Sequence, residues 1–364
     1  MSKLGKLNAY ADLVKFQTGK SKLRQILEIL QLSRGRQRLG IEEYYELGVF
    51  DDTCFPGSAK ARCAGWRGSA LIDRCLNDDY WRATANDKVL NYALLAHYGF
   101  PVPKTIATFS PSGRKVANEP VLRTKETLST YLRSALTFPV FVKPIHGTYG
   151  RGTFCLQGFQ SDGDGYLDAR GQAVSRDELL SVCLNEKFGG MLFQERLVQH
   201  PGVAAIVGPT VSCVRVIVAL SIDGSPKVVL AFWKIGRGKN ITDNFCMGES
   251  GNLLASINVE TGTVGRVITG LWPTGTECLE HPDTLAQLSG ARLPDWSNAL
   301  SLCCNAAEFF PGLRLQHWDV AFSDQGPVLM ELNTEADLGV PQYLGGKAFV
   351  TDDIKALMKS QSSD

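Results

Sequence analysis

Apolar positions along the chain switch between two periods, and the switch divides it. From residue 1 to about 85 the spacing is helical: Leu23, Ile26, Leu27 and Leu30 recur at one-turn intervals, and Glu42–Val49 (EEYYELGV) suggests another helical segment. Gly35, Gly40, Pro56 and Gly57 punctuate this part, which carries no catalytic pattern. A sharper helix start follows at Asn86-Asp87-Lys88. Either Asn86 or Asp87 can cap it, Val89, Leu90, Ala93 and Leu94 give an apolar stripe, and Gly99 ends it. After Phe100-Pro101-Val102-Pro103 a strand is expected over Thr105–Phe109. The polar run Gly113–Thr127 reads as a loop and a helix start continuing through Leu128, Leu132 and Leu136.

Further strands are expected ending at Lys143, over Thr153–Leu156 and over Met191–Val198, with a hairpin turn at Asp162–Gly171 and a helix at Arg176–Asn185 between them. A β-rich region follows: Val211–Ile222, Lys227–Ile235, Leu253–Asn258 and Thr263–Ile268, with turns at Gly224 and Gly262. Asp295–Phe310 is predicted as a helix with Trp296, Ala299, Leu302, Cys303 and Ala306 inward, and Asp352–Lys359 as a closing helix.

The stretch Leu315–Asp337 (LQHWDVAFSDQGPVLMELNTEAD) reads as a β-hairpin turning at Ser323-Asp324-Gln325-Gly326. A turn centred near Gln325 sets Asp319 opposite Glu331. Asn333 then shares their face, while Met330 and Leu332 point away. Facing carboxylates with Cβ atoms only ~5 Å apart repel. A hard divalent cation removes that penalty, and Asp, Glu and Asn oxygens are ligands Mg²⁺ accepts. The alternative is a surface hairpin with ordinary exposed acids.

Length and composition narrow the class. A chain of 364 residues is too long for one simple core, so two or three lobes are expected. Basic and acidic residues nearly cancel, 38 against 37, which gives no electrostatic reason to expect nucleic acid or an anionic membrane as partner. Basic residues do gather near the start (Lys3, Lys6, Lys15, Lys20, Lys22, Arg24, Arg34, Arg36, Arg38), as on solvated helix faces. No apolar run is long enough to cross a bilayer, and the start lacks a signal-peptide core. The ten cysteines form no C-x-x-C pattern, and Cys155, Cys213 and Cys303 lie within apolar runs. A cytoplasmic protein with reduced thiols is expected, and the Asn240-Ile-Thr sequon is then not glycosylated.

Other chemistry gathers in a few places. Phe138–Gly152 (FPVFVKPIHGTYGRG) places Lys143 at a strand end before a loop with Gly147, Gly150 and Gly152. Such a loop can admit phosphate oxygens to backbone N–H groups, or it can be a tight turn that only needs glycine. It matches neither the P-loop nor the dinucleotide fingerprint. Arg215 sits among apolar neighbours in SCVRVIVAL and needs an anion there, either a carboxylate or a phosphate. Lys234-Ile-Gly-Arg237 and Asp243-Asn244-Phe245 bracket a glycine-containing turn. His97, His200 and His281 are scattered, whereas His146 and His317 adjoin the loop and the hairpin. No Ser-His-Asp order or G-x-S-x-G elbow is present.

In order, Lys88, Lys143 with its glycine loop, Gln194-Glu195-Arg196-Leu197, Arg215, and Asp319…Glu331-x-Asn333 resemble the ATP-grasp superfamily over residues 86 to 343. EYYELGVF and DNFCMGESGNLLASINVETGTVG resemble its sugar-transfer-associated branch, related to glutamate-ligase-like enzymes. The resemblance implies an α+β fold in which two α+β lobes grip ATP, with a helical N-terminal extension over 1–85 and the ATP-grasp domain over 86–364. The glycine-loop lobe would span about 105–197 and the metal-binding lobe about 198–364. It further implies ATP contacts from Lys88, Lys143, Gly147, Thr148, Tyr149, Gly150, Gly152, Gln194, Glu195, Arg196 and Leu197. Asp319, Glu331 and Asn333 would hold one or two Mg²⁺ ions, Arg215 would steady the transferred phosphoryl group, and Lys234, Arg237 and Asn244 would serve the acceptor. Gln199 and His200 stand where many members place an acid for the ribose. The expected activity is an ATP-dependent carboxylate–amine ligase acting on small molecules, through an acylphosphate and releasing ADP and phosphate. A kinase acting on a hydroxyl acceptor and a nucleotide-binding protein without turnover are the alternatives.

Overall fold

A computed structural model of the chain describes residues 2–35, 38–114, 116, 119–147, 150–161 and 163–361. Its strands are β1 Thr105–Phe109, β2 Val121–Leu122, β3 Val140–Pro144, β4 Phe154–Phe159, β5 Gly165–Asp168, β6 Ala173–Ser175, β7 Met191–Glu195, β8 Cys213–Leu220, β9 Pro226–Ile235, β10 Leu253–Ile257, β11 Val264–Ile268, β12 Leu315–Ser323 and β13 Gly326–Asn333. They form a seven-stranded sheet, β2-β1-β7-β3-β4-β5-β6, and a six-stranded sheet, β11-β10-β9-β8-β12-β13.

The first sheet buries Val140, Val142 and Phe193 against Leu128 and Leu132 of helix Lys125–Ser134 and Leu179 of helix Arg176–Cys183. The second sheet is covered on both faces. Val214, Val216, Trp233, Trp318 and Val320 lie under helix Trp296–Ala307, which turns Ala299, Cys303 and Ala306 inward. Ile217, Ala219, Phe232, Leu254 and Leu315 alternate with that set and lie under Tyr44, Leu47, Phe55 and Leu76 of the N-terminal region. Strand side chains alternate faces, so Arg215, Lys234 and Asp319 share the face on which the N-terminal region sits.

Helix Trp66–Leu76 and the residue after it fix that contact. Ser69 Oγ accepts from the Leu338 N–H at 3.1 Å, and Asp73 Oδ1 accepts from the Glu335 N–H at 2.8 Å. Asn77 bonds both the N–H and the carbonyl of Leu315 at 2.9 Å. These three recur at four-residue intervals, one face of a helix. A second clamp comes from Gln342, whose side chain donates to the Ala64 carbonyl at 2.8 Å and accepts from its N–H at 2.7 Å.

Several elements differ from the sequence reading. Helix Lys22–Arg34 forms, but its Leu-rich stripe faces outward: Leu23 is 68% and Leu27 59% exposed. Gln25, Ile29 and Leu32 turn inward instead. Gln25 earns that position through hydrogen bonds, donating to the carbonyls of Ala11 and Lys20 and accepting from the Tyr45 hydroxyl. The expected turn Asp162–Gly171 contains β5, and helices Pro201–Val207 and Gly339–Gly345 lie where none was expected. Among the described residues no helix is long and apolar enough to cross a membrane. No disulfide links any of the ten cysteines.

Candidate active site

Residues of both sheets line a cleft of about 980 Å³: Phe141, Lys143 and Gln194 from the first, Arg215, Lys234, Asp319 and Glu331 from the second. Lys88 joins them from the first turn of helix Lys88–His97, whose N-terminus Asp87 caps by accepting from the Leu90 N–H at 3.0 Å.

β12 and β13 set Asp319 opposite Glu331 and His317 opposite Asn333. A register shift between Asp319 and Val320 leaves Met330 without a partner across the ladder. The Met330 carbonyl accepts from the Tyr92 hydroxyl at 2.5 Å, and that hydroxyl accepts from Lys143 Nζ at 2.5 Å. Lys143 is thereby tied to the acidic hairpin through a tyrosine.

Every acid at this end of the cleft meets a cation. Arg215 grips Asp319 with both arms, at 2.8 and 2.7 Å, and Lys234 reaches the same carboxylate at 3.0 Å. Asn333 Nδ2 approaches it at 3.4 Å. Lys88 pairs with Glu331 at 2.8 Å and donates to the Gly147 carbonyl at 3.1 Å. Burial disfavours the charged form of Asp319, yet Arg215 and Lys234 outweigh it and hold the carboxyl below the usual range. Burial likewise opposes the charge on Lys234, and Asp243 and Asp319 reverse the balance, so its ammonium is held above the ordinary lysine range. Lys143 is different. Burial pushes its ammonium down, opposed by the charge of Glu331. His317, behind Asp319, is pushed down to about 3 by burial, with Arg215 adding to the effect, and its Nδ1 has no hydrogen-bond partner among the described residues.

The remaining sequence candidates divide. Gly147 and Gly150 line the cleft. Gly150 has φ +68°, and a Cβ there would come within 2.9 Å of Asn244 Nδ2, so the glycine loop lies against the loop carrying Asn244. Gly152, at φ +72°, packs on the Phe188 ring and does not reach the cleft, so its glycine serves a turn. Thr148 and Tyr149 lie outside the described residues. Gln194 is buried, donating to Thr105 Oγ1 at 3.2 Å, whereas Glu195 lines the cleft at its exposed edge and pairs with Lys104 at 2.6 Å. Arg196 and Leu197 line the cleft. Arg237 turns away from the cleft toward Asp283, 3.9 Å off. The Gln199 amide joins Ser212 to Gly208 and is a structural brace.

Four residues of the site were given no role by the linear pattern, although Asp243 and Glu43 lie within runs it singled out. Tyr92 relays Lys143 to the hairpin. Asp243 accepts from the Cys213 N–H at 2.6 Å and stands 3.6 Å from Lys234. Glu43 and Trp66 bring the N-terminal region to the cleft. For that region a further trace is visible: the four-residue spacing of Ser69, Asp73 and Asn77.

Among the described residues no group of three or more His, Cys, Asp or Glu converges. Asp319, Glu331 and Asn333 therefore offer a divalent cation two carboxylates and an amide oxygen. That set fits an ion such as Mg²⁺, which keeps waters and takes one or two carboxylates plus phosphate oxygens. The ammonium of Lys88 and the guanidinium of Arg215 stand on those carboxylates, so the charge a cation would neutralise is present and is met by the protein's own groups.

The sequence profile of the sugar-transfer-associated ATP-grasp family matches residues 69–356. No curated protein matches the chain. Solved structures similar to it include the biotin carboxylase domain of Hydrogenobacter thermophilus 2-oxoglutarate carboxylase, at 12% identity over 82% of this chain and 51% of that one, with TM-score 0.42. Campylobacter jejuni biotin carboxylase is 11% identical over 82% and 52%, with TM-score 0.45. The ATP-grasp ligase PsnB, complexed with a minimal precursor, is 18% identical over 79% and 63%, with TM-score 0.38. The chain spans about half the length of the two biotin carboxylase chains.

Proposed function

The chain belongs to the sugar-transfer-associated ATP-grasp family, and on that premise we propose that it is an ATP-dependent carboxylate–amine ligase using Mg²⁺. The observation that carries the reading is one cleft in which Lys88, Lys143, Arg215 and Lys234 interleave with Asp319 and Glu331. Four cations suit a triphosphate, and three of them are held ready on a carboxylate rather than in water.

ATP lies in this cleft, with its adenine toward Gln194–Leu197 and its phosphates toward the lysines and the Gly147–Gly150 turn. Asp319, Glu331 and Asn333 would hold Mg²⁺, which would supply charge neutralisation to the triphosphate. Phosphoryl transfer depends on positioning and on stabilising developing charge, more than on a protein nucleophile. The phosphates take Arg215, Lys234 and Lys88 as new partners, and Asp319 and Glu331, released from them, would be free to hold the cation. A substrate carboxylate oxygen attacks the γ-phosphorus, the bond to the β-phosphate oxygen breaks, and ADP leaves. Arg215 and Lys234 steady the acylphosphate. The amine nitrogen then adds to its carbonyl carbon, phosphate departs with the C–O electron pair, and the nitrogen gives up a proton to leave an amide.

The test is incubation with ATP, Mg²⁺ and mixed carboxylates and amines, followed by phosphate release and product mass. Phosphate release that requires an added amine, with an amide in the products, supports the reading. ADP accompanied by a phosphorylated hydroxyl acceptor would overturn it in favour of a kinase.

A further inference from the structure

The outer end of the cleft is built by residues the phosphate chemistry does not use. Helix Ile41–Glu46 supplies Glu43, Trp66 opens helix Trp66–Leu76, and Asp337 follows β13. They adjoin. The Trp66 backbone N–H donates to the Glu43 carboxylate, and a Cβ on Gly339 would lie 3.1 Å from Asp337 Oδ1 and 3.4 Å from the carbonyl of Ala64, two residues before Trp66.

Two observations set this end apart. Asp319, Asp243 and Glu331 each face a Lys or Arg, but among the described residues no Lys or Arg pairs with Glu43 or Asp337. Their partners are backbone N–H groups: Gly40 and Trp66 for Glu43, and Gly339 for Asp337. Trp66, meanwhile, is 53% exposed and lines the cleft, whereas the aromatic rings of Phe232 and Phe245 in the same lining are buried. Burial pushes the Asp337 carboxyl up, with the negative charge of Glu43 adding to the effect.

We propose that this end is the acceptor subsite and that the acceptor enters as a cation, its ammonium group held between the Trp66 indole and the carboxylates of Glu43 and Asp337. The proposal rests on the ligase reading, and it names the class of the second substrate: a primary amine that is protonated in solution and whose ammonium gives one proton to the Asp337 carboxylate before its nitrogen attacks. Indole faces and carboxylates both attract ammonium, and a cation removes the repulsion between the two acids. A hydroxyl acceptor would leave both carboxylates without a counter-charge, and an anionic one would be repelled. Lys88, Lys143, Arg215 and Lys234 thus serve the phosphates, and Glu43 and Asp337 the amine.

Three probes of matched length separate these cases: 1,4-diaminobutane, 1,4-butanediol and succinate. Binding to the wild-type chain is read in the fluorescence that Trp66→Phe removes, with Mg²⁺ and a non-hydrolysable ATP analogue present. The expected result is saturable binding of the diamine at least about ten-fold tighter than the diol, equal to one partly desolvated ion pair, and no binding of succinate. Glu43→Gln with Asp337→Asn, checked for wild-type melting, should abolish the diamine response. Equal binding of the diol or succinate overturns the proposal, as does diamine binding that survives the double substitution. A fluorescent ATP analogue tests the nucleotide separately. If it fails to bind while the diamine preference holds, the ligase reading falls and the cation subsite stands. If it binds and the preference is absent, the subsite alone falls.

Discussion

Replacing Asp319 by Asn tests the charge arrangement of the inner cleft most directly. The side chain keeps its volume but loses its charge and one acceptor oxygen. Arg215, bonded at 2.8 and 2.7 Å, and Lys234, at 3.0 Å, are then left as buried cations with their shared partner gone. Breaking a buried pair from one side costs about 3–5 kcal/mol, most of it the uncompensated charge that remains. Asp243 stays 3.6 Å from Lys234 and offsets part of this, so the lower end, about 3 kcal/mol, is expected. At about 2.1 cal/mol/K per residue over 364 residues, that corresponds to a fall in melting temperature on the order of 4 °C. The assay is thermal melting of Asp319→Asn beside wild type, with and without Mg²⁺-free ATP. The nucleotide's phosphates should resupply the missing negative charge, so the variant should regain more melting temperature from ATP than wild type does. A variant that melts with wild type and gains no extra from ATP would refute the reasoning, because the two cations would then not depend on Asp319.

Other expectations follow from the same geometry. Glu331→Gln should keep the wild-type melting temperature within a few degrees while turnover falls at least roughly a hundred-fold, since it removes a metal charge and little volume; near-normal turnover in Mg²⁺ would exclude Glu331 as a ligand. Lys143→Ala should weaken binding of an ATP analogue roughly ten-fold or more, the worth of a charged hydrogen bond, and unchanged affinity would remove Lys143 from the phosphate site. Because burial lowers the Lys143 ammonium, wild-type affinity should fall on raising the pH sooner than an ordinary lysine would require, and that alkaline loss should vanish in Lys143→Ala. His317 bears on stability instead. Its folded value, about 3, lies below the ordinary 6.5, so the folded state favours neutral imidazole. The contribution is full above pH 6.5 and is lost as pH falls toward 3, about 2 kcal/mol between pH 7 and 5. Melting of the ligand-free protein should show that loss, and His317→Asn should lack it.

The hairpin was legible for a partly accidental reason. Counting from a turn centred at Gln325 sets Asp319 against Glu331, and the structure has that pair. Yet the turn pairs Ser323 with Gly326, a register that carried straight back would oppose Asp319 with Met330. The extra residue at Met330 restores the count, and no pattern of polarity announces such a bulge. Strands were legible because one face of each is buried, so period-2 alternation survives in the sequence. Helix Lys22–Arg34 was legible as a helix but not in orientation, because a hydrogen-bonded Gln25 outranks exposed leucines for the inward place. Glu43 was legible only as part of the run EYYELGVF, not as a residue of the cleft, and Trp66 was not legible at all. Their role depends on Ala64, Leu338 and Gln342 meeting across the chain, which local sequence does not encode.

That meeting has a consequence for the order in which the protein forms. Ala64 and Gln342 are 278 positions apart. Closing a chain segment of that length costs about 5 kcal/mol of entropy, which no contact made within residues 41–77 repays. During synthesis Ala64 is made long before Gln342, so the outer wall waits until the segment beyond β13 has emerged and folded. Both acids of the inner hairpin precede that segment. The acceptor end of the cleft is therefore the last part of the site to assemble, and a chain cut before Gln342 would lose it first.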